Sequence, residues 1–240
     1  MNVDMTGRVV VVTGAAGNVG EGVLKAFAAT GAKLVLVDRD GNKLSRRLSA
    51  LGTDRDRYKG MPTDLNDPEA IDQMIKQIHG HFGRIDALVH TVGGFAMGDP
   101  VHAGNMDVFD QMMLLNARIL YLVCGKVANY MVENKTPGAI TAVLARSGQK
   151  GMKNQGAYTA SKAAATRIIE SMALELREHN IRVNGVSPSI VDTEPNREAM
   201  ADADFSKWVT PAQIADLMVF LSSNAANAIS GENIVIANKV

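Results

Sequence analysis

The chain has one cysteine, Cys124, and one tryptophan among its 240 residues. A single thiol closes no internal disulfide, and in an apolar helical stretch it reads as a buried, inert group rather than a nucleophile. An excess of either charge is also missing, with 25 Lys and Arg against 25 Asp and Glu. Without net charge or a basic cluster there is no electrostatic footprint for nucleic acid or an anionic bilayer, and neither is expected as a partner. No apolar run approaches the roughly 20 residues of a membrane span. The opening MNVDMTGRVV carries an acid and runs straight into a strand-like segment, so the expectation is a cytoplasmic protein. Repeats, low-complexity tracts and linkers are absent, and no metal-ligand cluster stands out, so residues 1–240 read as one metal-free domain.

What is present is an alternation. Short β-branched runs at 8–14, 33–38, 58–62, 86–90, 139–145 and 181–187 are separated by helical patterns at 18–30, 42–50, 68–82 and 157–179 and by a further helical stretch after 90. Strand and helix alternating at this spacing predict an α/β fold, a doubly wound Rossmann-type parallel sheet with right-handed crossovers and helices on both faces. Strands covered on both sides read as continuous apolar runs, as these do. Ligands of such sheets lie beyond the carboxyl ends of the strands, so functional residues are sought there. The segment 189–209, rich in Asp, Glu and Pro, reads as a substrate lid.

After the first strand, TGAAGNVG opens a helix. Gly14 and Gly20 keep side chains away from an approaching pyrophosphate, and the helix start at Asn18, Val19 and Gly20 offers amide donors and a positive dipole end. Asp38 ends the second strand, where a carboxylate can accept from both ribose hydroxyls and repel a 2′-phosphate. NAD is therefore the expected cofactor; Arg39, next in line, would pair with that phosphate if NADP were used. Asp64 and Leu65 after the third strand suit an adenine clamp, although Asp64 could equally cap the next helix. Thr91 and Gly93, after the fourth strand, complete the candidate cofactor contacts.

The segment AYTASKAAATRIIESMALEL places Tyr158 and Lys162 one helical turn apart on one face. Lowering a phenol's pKa by about 3 units takes about 4 kcal/mol. An ammonium about 6 Å away contributes roughly 2.8 kcal/mol at an effective dielectric near 20. Tyr158 is thus the candidate proton donor, with Lys162 as its electrostatic partner.

In this order TGAAGNVG, Asp64, Asn116 in LLNAR, YTASK and RVNGVSPSIVDT resemble the motifs of short-chain dehydrogenases/reductases over essentially the whole chain. The resemblance implies that Asn116 holds a water linking Lys162 to solvent, that Thr193 and the backbone of Ile190 contact the nicotinamide carboxamide, and that the protein is a homotetramer or homodimer. Departures are as informative. Asn18 replaces the middle glycine of the loop, as a residue that tolerates strained backbone and can cap the helix. HTVGG replaces Asn-Asn-Ala-Gly after the fourth strand, where His90 reads as structural, and Ser189 replaces the glycine after Pro188. Ala145 stands where the family's substrate-binding serine is expected. Ser147 is the nearest substitute if the strand continues to it, with Arg146 pointing the other way.

The serine-less strand, VGGFAMG (92–98) and DTEPNREAMADADFSKW (192–208) resemble dihydropteridine reductase of the same superfamily. The expected activity is NAD(H)-dependent hydride exchange with a small carbonyl/alcohol substrate, Phe95, Met97, Met152 and Trp208 forming an apolar pocket wall. Alternatives are an NADH-dependent reductase of the dihydropteridine type and a catalytically weak, dinucleotide-sensing protein.

Overall fold

The computed structural model describes residues 3–240. Strands β1 (Val9–Thr13), β2 (Lys33–Asp38), β3 (Tyr58–Pro62), β4 (Ala87–His90), β5 (Gly138–Val143), β6 (Ile181–Pro188) and β7 (Asn233–Ile236) form one parallel sheet in the order β3-β2-β1-β4-β5-β6-β7. The order reverses between β1 and β4, which opens a crevice at their carboxyl ends. Successive side chains of a strand leave on opposite faces. Val9 and Val11 accordingly join one core with α3 (Pro68–Phe82), α5 (Ile119–Glu133) and α6 (Gly156–Glu175). Val10 and Val12 join the other with α1 (Asn18–Ala29), α2 (Gly41–Leu51) and α8 (Pro211–Ser222). The sheet is therefore a single Rossmann-type layer buried on both sides.

Several boundaries differ from the expected ones, each for a local reason. The strand expected at 139–145 ends at Val143, because Arg146–Gln149 wind into a tight 3₁₀ turn. Helix α6 stops at Glu175, and Arg177–His179 make a separate 3₁₀ turn closed by Asn180 at φ 56°. Helix α8 and strand β7 were not anticipated. Met106–Glu133 runs as one 28-residue rod, α4 (Met106–Met113), a π turn (Leu114–Arg118) and α5. By length and composition alone this rod could cross a bilayer. Here Val123, Cys124, Val127 and Met131 are buried in the sheet's core, as expected of a central helix, and burial pushes the Cys124 thiol up to about 12. The segment 189–209 contains a short helix, α7 (Glu194–Ala199), and is pinned at its base by a parallel bridge between Val191 and Val209.

Strands β1 and β4 are fastened by side chains at both ends. At the foot, buried Asp86 accepts from the Val9 amide at 2.9 Å and from Arg84 and Arg8. At the head, Thr13 Oγ1 lies 2.8 Å from His90 Nδ1, and Thr91 Oγ1 donates to the Thr13 carbonyl at 2.8 Å.

Candidate active site

The glycine loop is shaped by contacts that no larger residue could make. Gly14 sits at φ 73°, and a Cβ there would stand 2.7 Å from Thr91 Oγ1; one at Gly20 would stand 2.2 Å from the Gly14 carbonyl. The turn that results leaves α1 starting at Asn18 with Gly17 as its cap and no side-chain hydrogen bond on its first amides. Asn18 is thus the first helical residue, not the cap expected of it, and the uncapped helix start is free to receive a diphosphate. Asp38 is half-buried beside this loop, its carboxylate accepting from the Ala16 amide at 3.1 Å and the Asp40 amide at 3.2 Å; Arg39 is exposed. Asp64 is exposed and turns back to the Asn66 amide, while Asp67 caps α3, so the capping alternative for Asp64 does not hold. Leu65 is buried in the core on the α3 side. These residues fit a nicotinamide dinucleotide: the cradle at Gly14 and Gly20 admits only backbone, and a carboxylate waits at the end of β2.

Tyr158 and Lys162 lie on the first turns of α6, as expected. Lys162 is buried and its Nζ donates to the Val143 carbonyl at 3.2 Å. Burial brings its pKa down to about 8. Tyr158 departs from expectation. Burial raises its pKa above the ordinary phenol value, and the nearby Ser147 hydroxyl opposes the rise. The Lys162 ammonium is turned to the β5 carbonyl. Ser147 stands near the phenol on the 3₁₀ turn rather than on an extended strand. Gly148 makes that possible, because a Cβ there would meet the Lys162 backbone and Cβ at 3.0 Å. Ala145 is extended, and Arg146 faces away, donating to the Val240 carbonyl at 2.5 Å.

Asn116 lies buried in the π turn. Its Oδ1 accepts from the Gly94 amide at 2.9 Å, and its Nδ2 donates to the Gly94 carbonyl and to Ser161 Oγ, each at 3.0 Å. The side chain is therefore fully committed to holding the loop after β4 against α6. A Cβ at Gly93 would stand 2.8 Å from Asn116 Oδ1 and 3.1 Å from Lys162 Nζ, so the glycine lets both polar groups come to the loop. Gly94 and Ser161 escaped the sequence reading; Ser161, next to Lys162 in YTASK, was the available signal.

His90 is fully buried and structural, as expected; burial first, then the Lys162 charge, lower its pKa to about 3. In the segment 189–209, the Ile190 carbonyl accepts from the Val209 amide, and Thr193 opens α7 with a hydroxyl uncommitted to capping. Phe95 packs edge-on to Tyr158 with centroids 4.9 Å apart, and Met97 and Met152 are exposed, but Trp208 is buried against Phe205 and cannot line a pocket. Among the described residues no cluster of His, Cys, Asp and Glu could hold a metal. A cavity of about 560 Å³ around Arg8, Arg177 and Arg182 lies at the amino ends of the strands, away from this chemistry.

The family description "short chain dehydrogenase" matches residues 8–204. A 2,3-dihydro-2,3-dihydroxybenzoate dehydrogenase of Bacillus subtilis is 29% identical, covering 96% of this chain and 94% of its own. A galactitol 2-dehydrogenase of Agrobacterium fabrum is 30% identical, covering 91% of each. The crystal structure of an NAD+-bound xylitol dehydrogenase superposes with a TM-score of 0.88 at 24% identity, over 97% of this chain and 98% of the other. With its glycine loop, its α6 Tyr-Lys turn and matches spanning nearly its whole length, the chain belongs to the short-chain dehydrogenase/reductase family and is an oxidoreductase of that type.

Proposed function

We propose that the protein transfers hydride between NAD(H) and a carbonyl/alcohol pair, with Tyr158 as proton donor and acceptor. The observation that carries this is the α6 turn of half-buried Tyr158 and buried Lys162, placed beyond the carboxyl ends of β4 and β5 with Ser147 on the neighbouring 3₁₀ turn. Nicotinamide, when bound, supplies or takes the hydride. Tyr158 remains a neutral phenol at pH 7 and is charged with a proton for a substrate oxygen. Lys162, with a pKa near 8, is mostly an ammonium there and can re-protonate the phenol. Asn116 positions the Gly93–Gly94 loop above that ammonium and, in this reading, its neighbourhood passes protons to solvent. Ser147 supplies the hydroxyl missing at Ala145, and the backbone of Ile190 and the Thr193 hydroxyl hold the carboxamide. The carboxylate of Asp38 favours NAD(H) over NADP(H). A cytoplasmic location belongs to the same reading, since turnover draws on the cell's nicotinamide pool.

Ala145 favours a second reading, a reductase of conjugated imines such as a quinonoid dihydropterin, in which no carbonyl oxygen needs gripping. A pure dinucleotide sensor has no use for both Tyr158 and Lys162 in this arrangement. Tyr158→Phe is expected to lower kcat at least about 10³-fold with little change in NADH affinity. Turnover within threefold of the parent would refute the mechanism.

A further inference from the structure

Phe95, Met97, Val101 and Met152 are 56%, 61%, 83% and 44% exposed, an unusual density of bare large apolar side chains for two neighbouring loops. Those loops are held together and against the start of α6. The Gly98 amide donates to the Asn154 carbonyl at 2.9 Å, and a Cβ on Gly156 would lie 2.7 Å from Val101 Cγ2. Phe95 then stands edge-on to Tyr158 itself. The patch is thus continuous with the reacting phenol.

Several polar groups of the neighbouring loops are already committed to the fold. Thr91 Oγ1 is taken by the Thr13 and Gly14 carbonyls, the Asn116 amide by Gly94 and Ser161, and Asp192 by a two-pronged pair with Arg197 at 2.5 and 2.8 Å. Position 145 offers a methyl group. A polyol lying over this patch would press hydroxyls against phenyl and thioether groups, and unpartnered hydroxyls are costly to desolvate. A body of fused or single apolar rings has no such penalty. The edge of Phe95 and the adaptable methionines are suited to its faces.

Resting on the oxidoreductase reading above, we propose that the substrate is a ring-bearing, largely apolar compound with a single reacting oxygen, and not a polyol or sugar of the kind named for galactitol and xylitol dehydrogenases. Tyr158 and Ser147 grip the one oxygen, and Phe95 with Met97, Val101 and Met152 covers the apolar body.

The test compares the bicyclic ketone 2-tetralone with the ketopentose xylulose, using NADH and the full chain, in the parent and in Phe95→Ala. The expected result is a kcat/KM for the tetralone at least about 100-fold above that for xylulose. Phe95→Ala should raise the tetralone KM about tenfold or more, leaving kcat within a few-fold and NADH affinity unchanged. Phe95→Leu should recover part of the loss. A preference for xylulose or for quinonoid dihydropterin, or an unchanged tetralone KM in Phe95→Ala, overturns the proposal. If neither ketone is reduced, saturable Phe95-dependent binding of tetralone to the NADH-loaded protein would sustain the apolar mouth and sink the carbonyl chemistry; absence of binding overturns the proposal. A change in sedimentation on Phe95→Ala would assign the patch to a second copy of the chain, also against it.

Discussion

Asp38 does two things with one carboxylate. It ties the end of β2 to the glycine loop through the Ala16 amide, and in the function proposed above it repels the 2′-phosphate of NADP. Asp38→Ala is expected to shift the ratio of kcat/KM for NADH over NADPH by about tenfold or more toward NADPH. Equal efficiency with both cofactors in the parent would show that Arg39 outweighs the carboxylate. His90 carries a pH signature. Its pKa falls from 6.5 to about 3 because burial keeps the imidazole neutral. The stability this group contributes is complete above pH 6.5 and is lost as pH drops toward 3, where the unfolded chain takes up the proton first. One such group gives a slope of about 1.4 kcal/mol per pH unit within that window. Removing it in His90→Asn should flatten the urea-derived stability profile by that slope between about pH 6 and 4. Identical slopes in parent and variant would mean that the histidine is charged in the fold. The places of Tyr158, Lys162 and Asp38 in the fold were legible because each rests on residue type and local spacing. The partners of Asn116 were not, since Gly94 and Ser161 lie 22 and 45 residues away in sequence and meet it only through the packing of α6 on the loop after β4.

The elements that hold the cofactor loop were read to within a residue or two. β1, β2 and α1 have apolar runs, a strand-to-helix glycine turn and an unambiguous change of period. What failed were places where a short tight turn interrupts an apolar run. Val143 to Ala145 continue the chemistry of β5, yet Gly148 must close onto Lys162, and the chain coils at Arg146. Helix α8 had its own signal in Thr210, Pro211 and Gln213, a capping box with Pro at the first turn, and β7 is only four residues of NIVI. On the proposed role of Ser147, carried by the 3₁₀ turn and not by a strand, Ser147→Ala should lower carbonyl turnover by about 10²-fold at unchanged NADH affinity. An unaltered rate would leave Tyr158 alone to hold the oxygen. In the glycine loop, Gly20→Ala is expected to cost more than about 2 kcal/mol, because its methyl group would collide with the Gly14 carbonyl and backbone must move. A thermal midpoint within a degree of the parent would contradict the packing described for the loop.

For the molecule as a whole, the outer side of the α5–α6 layer is not finished as a solvent surface. Ala163, Ala164 and Ile168 are only partly covered, and Tyr121 and Leu174 are 66% exposed each. We propose that this layer packs against a second copy and that the protein is a homotetramer. Sedimentation equilibrium at micromolar concentration is expected to give four times the chain mass of 25.6 kDa. A monomer would contradict it. The fastening of β1 to β4 at head and foot has a different consequence. Its two clasps, Asp86 with Val9, Arg84 and Arg8 at one end and Thr13 with His90 and Thr91 at the other, leave no frayed end from which that strand pair can unzip. In heavy water the amides of Val10 to Val12 and of Leu88 and Val89 should therefore be the last in the chain to take up deuterium, exchanging only when the entire sheet opens.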